Sequence, residues 1–187
     1  MEQKQLLRTA YRRRRNALSA QARAKADAAI LSHVTALPDY REAAVVLAYS
    51  AIGSEAGTRA IIEHALKCSK TVLLPVTDPR TETMFAARLT RADALTPGGY
   101  GIPEPQRAQP YEGDIDLVLV PGLVFHPSGY RIGYGKGYYD KFFSNGGRSI
   151  KVGLAYACQL CNEPFGEAHD VRMDYIVTER GGMPCVK

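Results

Sequence analysis

Residues 115–140 read IDLVLVPGLVFHPSGYRIGYGKGYYD. The opening run, residues 115–120, is short and, apart from Asp116, made of Val, Leu and Ile. It is too short for a stable helix and reads as a strand buried on both faces. A glycine-rich stretch follows, and a helical pattern then spans about 137–143. Strand, glycine-rich connection and helix make one βα unit.

The same alternation extends outward from this unit. Residues 3–17 read as a helix, with Leu7, Tyr11 and Leu18 at near-helical spacing and Lys4, Arg8, Arg12 and Arg15 close to a common side. Ser19 is placed to cap a second helix, running to about Ala36 and stopped by Pro38. Residues 44–49 form an apolar strand, followed by a polar loop over 50–57. Thr58 is placed to cap a helix reaching about Cys68. Residues 71–74 give a strand ended by Pro75, and residues 83–88 another. Residues 90–113 are rich in Pro and Gly and read as a long loop around Gly101-Ile102-Pro103-Glu104-Pro105. Further strands are expected over 150–155 and 175–177. Short apolar strands alternating with helices predict an α/β fold, with a mostly parallel sheet covered on both faces in one domain.

Composition narrows the function class. The chain has 187 residues, of which 45% are hydrophobic, enough for a proper core. Its apolar runs are far shorter than the ~20 residues of a membrane-spanning helix. The first residues, MEQKQLLRTAYRRRR, lack the apolar core of a secretory signal. A cytoplasmic protein is expected, with small-molecule partners, no membrane association, no nucleic acid, and a monomeric state. The net charge of +5, concentrated in Arg8 and Arg12 to Arg15, favours anionic ligands. Cys158-Gln-Leu-Cys161 is a lone CxxC, and the four histidines are scattered, so neither builds a zinc site. The cysteines read as reduced thiols.

The glycine-rich stretch carries the chemistry. Gly133, Gly135 and Gly137 permit left-handed backbone and close approach of a ligand. Bare N–H groups ahead of a helix suit phosphate. Arg131 and Lys136 add positive charge, and Asp140 is a candidate ligand for the Mg²⁺ that accompanies ATP. The spacing is neither a Walker A loop, because Lys136 precedes Gly137 rather than Ser or Thr, nor a GxGxxG fingerprint. A surface turn would have no use for Arg131, Lys136 and Asp140. The arginines of the first helix read as a solvated face, as contacts to an anionic ligand, or as an RNA-binding arm, the last without the aromatic interleaving or recognised module that would support it. Glu55, just past the first strand, reads equally as a clamp for a ligand amine or as a loop charge. Tyr100 is placed to stack on a flat ring or to pin its own loop.

Taken in order along nearly the whole chain, these segments resemble the 5-formyltetrahydrofolate cyclo-ligase family, also called 5,10-methenyltetrahydrofolate synthetases. The resemblance is carried by the basic first helix, Ser54-Glu55, GIPEP at 101–105, DLVLVPG at 116–122, residues 131–140, and Met173-Asp174. It implies a three-layer α/β/α fold and an ATP- and Mg²⁺-dependent ring closure of 5-formyltetrahydrofolate. It implies ATP contacts from Lys4, Arg8, Arg131, Gly133, Tyr134, Gly135, Lys136, Gly137 and Tyr138, with Arg131 and Lys136 acting on the transferring phosphoryl group. Asp140 and Asp174 would be the Mg²⁺ carboxylates. Glu55, Tyr100 and Tyr138 would face the folate. Tyr134 stands where some members carry arginine, and Glu104 is Gln in some relatives and is expected to tolerate change. The alternative is a catalytically silent nucleotide- or folate-binding regulator of the same fold.

Overall fold

Every second residue of the strand β6 (Leu117–Val120) faces a different core, and this alternation organises the molecule. Leu117 and Leu119 pack with the helices α2 (Ala20–Ala36) and α4 (Arg59–Lys67). Val118 and Val120 face the opposite cluster, which includes Phe142 and Phe143 of α5 (Tyr138–Ser144). All four side chains are fully buried. The computed structural model describes residues 2–89, 95–105, 108–144, 146–167 and 170–186, with the side chain of Tyr100 excepted.

Five strands run parallel in the order β10 (Tyr175–Thr178), β9 (Ile150–Leu154), β6, β1 (Val45–Leu47) and β2 (Thr71–Asp78). Antiparallel strands extend both edges: β11 (Gly181–Pro184) beside β10, and β3 (Thr83–Arg88) beside β2. With helices on both faces, this is the expected three-layer α/β sandwich around a mostly parallel sheet. Parallel order places all five carboxyl ends on one side, where ligands gather in open α/β sheets.

Local chemistry accounts for most boundaries. The first helix is α1 (Glu2–Asn16). Ser19 Oγ accepts from the Ala22 amide at 3.1 Å and caps α2. After α2, Pro38 also opens a short helix, α3 (Pro38–Glu42), as a first-turn proline that needs no N–H. Thr58 precedes α4 without capping it, because its hydroxyl donates back to the Tyr49 carbonyl.

Three expectations change. Pro75 lies inside β2 rather than ending it. Opposite it, Ala86 turns its carbonyl outward to the Tyr111 amide, so no N–H is needed toward β3, and the missing N–H falls where the pairing with β1 stops, just past the Ala48 N–H to Leu73 carbonyl bond. The stretch expected as a loop over 90–113 contains a small hairpin, β4 (Leu95–Pro97) with β5 (Pro103–Pro105), joined through a 3-10 turn at Gly99–Gly101. Third, a two-residue hairpin, β7 (Val124–Phe125) with β8 (Arg131–Ile132), precedes the glycine-rich loop. Helix α1 lies across this hairpin, burying Tyr11 among Leu123, Val124, Ile132 and Phe165.

Candidate active site

A cavity of about 480 Å³ opens at the carboxyl ends of β1, β2 and β6. Tyr49 and Ser50 continue from β1, Thr77 sits late in β2, and Pro121 follows β6. Helix α1 contributes Lys4 and Arg8, the β4–β5 hairpin contributes Ile102, and residues 131–140 close the remaining wall. A larger hollow of about 910 Å³ lies at the opposite ends of the strands. Asp39, Glu42, Asp114 and Asp116 line it, a field that repels polyanions. The smaller cavity is therefore the candidate site.

Arg131 belongs to β8 rather than to the loop, and its side chain is only 5% exposed. One guanidinium nitrogen donates to Asp140 Oδ1 at 3.1 Å, and the group lies 5.6 Å from the Tyr139 ring centre. Its Nε is buried with no hydrogen-bond partner among the described residues, as is the Tyr139 hydroxyl. Such atoms are costly to bury unless something satisfies them. Burial pushes the Tyr139 pKa up, so its hydroxyl is a neutral donor. Gly135 and Gly137 take φ of +102° and +69°, which a side chain adopts only with strain; Gly133 does not need positive φ. Arg8 Nε donates to the Gly133 carbonyl at 3.1 Å and ties α1 to the loop.

The other cations are also held. Lys136 Nζ donates to Glu82 Oε1 at 2.7 Å, across from the tip of the β2–β3 hairpin. Lys4 pairs with Asp170 at 2.9 Å and Glu167 at 3.0 Å. Burial lowers the Lys4 pKa, but the hydrogen bonds to these carboxylates outweigh it, and the net shift is upward.

Glu55 is buried on the far wall. Its Oε2 accepts from the Ile52 amide at 2.9 Å, and its Oε1 accepts from the Tyr134 hydroxyl at 2.6 Å. Tyrosines fix the chain around it: Tyr156 donates to the Glu55 carbonyl and Tyr49 to that of Ala56. The amide of Gly57 donates to Asp27. Tyr134 thus turns its polar end toward Glu55, where an ATP contact was expected. Tyr138 lines the cavity, while the Tyr100 side chain lies outside the described residues.

Glu104 pins the cavity's hairpin. One carboxylate oxygen accepts from the Thr77 amide, the Thr77 hydroxyl and the Gly99 amide, at 2.9–3.2 Å. Replacing Glu104 with Ala is expected to cost about 2 kcal/mol in urea unfolding, because buried donors lose their acceptor. Glutamine keeps an acceptor oxygen there and should recover most of the loss.

The expected metal pair is not brought together. Asp140 lines the cavity from the first turn of α5 with 37% of its side chain exposed. Asp174 is absent from the cavity wall. It immediately precedes β10, which puts it at the amino end of a parallel strand. There it accepts from the Lys151 amide at 2.8 Å and pairs with the Lys151 ammonium at 3.4 Å. Among the described residues, no group of three or more His, Cys, Asp and Glu is arranged to hold a metal. Asp140 alone fits Mg²⁺, which commonly takes one or two carboxylates and completes its shell with water and substrate phosphate. All four cysteines are free thiols, with Cys161 buried beneath α1.

Sequence reading missed Tyr139, Asp170 and Glu82 as neighbours of the site, and left Arg15 within a run of charges. Arg15 is 4% exposed and donates to Ser54 Oγ and the Tyr134 hydroxyl. Its heptad-like offset from Arg8 and the apolar side of α1 was the available signal.

Comparison with known proteins agrees with this architecture. The 5-formyltetrahydrofolate cyclo-ligase family is matched over residues 1–179. A 5-formyltetrahydrofolate cyclo-ligase of Haemophilus influenzae is 30% identical over 177 residues, covering 91% of this chain and 94% of the relative. A probable 5-formyltetrahydrofolate cyclo-ligase of Caenorhabditis elegans is 35% identical over 155 residues, 75% of each chain. The NMR structure of 5,10-methenyltetrahydrofolate synthetase from Aquifex aeolicus superimposes with a TM-score of 0.86 at 29% identity, over 98% of this chain and 93% of that one. With sequence, fold and chain length in accord, the chain belongs to the 5-formyltetrahydrofolate cyclo-ligase family and is an enzyme of that family.

Proposed function

We propose that the cavity binds ATP and 5-formyltetrahydrofolate side by side and closes the folate ring by way of a phosphorylated formyl group. The observation that carries this reading is Arg131, a buried guanidinium in the cavity wall whose Nε lacks a partner. A phosphate oxygen supplies what that atom lacks.

In the proposed reaction the formyl oxygen attacks the γ-phosphorus, an O–P bond forms, and the bond to the β-phosphate oxygen breaks to release ADP. The folate N10 then attacks the formyl carbon, loses its proton, and the C–O bond breaks to expel phosphate. Phosphorylation turns a poor leaving group, oxide, into a good one. The protein contributes position and charge rather than a nucleophile. Arg131 and Lys136 stabilise the transferring phosphoryl group. The backbone of Gly133, Gly135 and Gly137 lets the phosphates approach, and Lys4, Arg8 and Tyr138 bind the nucleotide. Glu55, Tyr100 and Tyr138 orient the folate. Asp140 is the residue to hold Mg²⁺, which supplies charge neutralisation to the phosphates when bound.

Purified protein given 5-formyltetrahydrofolate, ATP and Mg²⁺ should develop the absorbance of a methenyl product, with one phosphate released per turnover. Folded protein that binds both ligands yet produces neither signal would sink this reading in favour of a silent binder.

A further inference from the structure

The hydroxyl of Tyr134 stands between a buried guanidinium and a buried carboxylate. Arg15 donates to it at 2.9 Å, and it donates onward to Glu55 Oε1 at 2.6 Å. Arg15 is itself fixed through Ser54 Oγ at 3.0 Å and the Gly122 carbonyl at 3.4 Å. Although 43% of Tyr134 remains exposed, its hydroxyl is the hydrogen-bonded end, with the guanidinium groups of Arg12 and Arg15 each 5.8 Å from the ring centre. Burial, with the nearby Glu55 charge, raises the Tyr134 pKa to about 12, so the donor proton is present throughout the working pH range. With Ile52 N–H on its other oxygen, the Glu55 carboxylate has both oxygens committed, yet each keeps a lone pair for a ligand.

We propose that Tyr134 is a positioning residue for the folate rather than a phosphate ligand: it aims the Glu55 carboxylate, and through its place between Gly133 and Gly135 it ties that aim to the loop around the nucleotide. This inference rests on the proposed function, in which Glu55 meets the folate. The chain therefore joins its two substrate regions by one phenol hydroxyl. Tyr134 gives its one donor proton to an acidic side chain and so has none left to offer a phosphate.

The test is Tyr134→Phe, which keeps the half-exposed ring, with thermal unfolding used to establish that the variant is folded before binding is read. Loss of a hydrogen bond to a charged acceptor should weaken 5-formyltetrahydrofolate about tenfold, read both as KM and by calorimetry without ATP, while the KM for ATP changes less than twofold. In a Glu55→Gln background, the same substitution should change folate binding by much less, because Tyr134 acts through that carboxylate. Weakened ATP with unchanged folate would overturn the proposal, as would an undiminished effect in the Glu55→Gln background. Failure of the functional reading is separate: it appears as absent methenyl product from the unaltered protein.

Discussion

Lys136→Ala should lower kcat by about 10²- to 10³-fold in the methenyl assay, with thermal unfolding unchanged. The magnitude is that of removing one preorganised donor from a site where charge develops. Lys136 sits between Gly135 and Gly137, whose positive φ values are strained for any side chain, so the backbone sets where this lysine begins. It pairs with Glu82, and that pair is 53% and 40% exposed. An exposed ion pair contributes little to stability, so its loss should leave the fold intact. For the same reason, exchange of Glu82 for phosphate costs the lysine little. Substitution by Arg should restore part of the rate, since charge returns in a different shape. Unchanged kcat in the alanine variant would remove Lys136 from the transfer step.

Phe125→Ala should destabilise the protein by about 3–5 kcal/mol, read by urea denaturation. The ring is fully buried in the face of the sheet that packs on α5. A side chain at Gly122 or Gly153 would come within 2.6 Å or 2.5 Å of it, so both glycines are small because this ring occupies the space. Phe125 also stands opposite Arg131 in the β7–β8 pair, so loosening it should misplace the buried guanidinium and depress turnover beyond the loss of folded protein. A stability loss below about 1 kcal/mol would show that the site collapses around the missing ring.

The sheet was legible where burial dictates residue type. Of residues 115–120, read as a strand buried on both faces, Leu117–Val120 form it, while Ile115 and the exposed Asp116 precede it; the Thr83–Arg88 strand has the boundaries read from sequence. Pro75 misled because its cost depends on which neighbour is absent, a property of β1 and Ala86 rather than of the local sequence. The two-residue strands β7 and β8 escaped notice because pairing that short has no periodicity to detect. The three-layer arrangement and the meeting of Lys4, Arg8, Glu55 and the glycine loop followed from the family resemblance and strand order. The role of Tyr134 did not, since its partners come from α1 and from a loop 79 residues away in sequence. Asp174 was likewise hard to place from sequence: it precedes β10, so strand direction sets it at the amino end of that strand, beside Lys151.

The docking of α1 has a consequence for the order in which the molecule assembles. This helix, earliest in the chain, rests on the β7–β8 hairpin and on residues around Cys161, with Tyr11 donating to the Leu160 carbonyl. Its berth does not exist until residues more than a hundred positions downstream have found their own places. Contacts of such separation form slowly, because a long loop must close before they are rewarded. Lys4, Arg8 and Arg15 ride on that helix. The wall of the cavity that α1 supplies should therefore be completed late in folding, and a chain with its sheet formed but α1 undocked would lack Lys4 and Arg8, two of the cations that line the cavity.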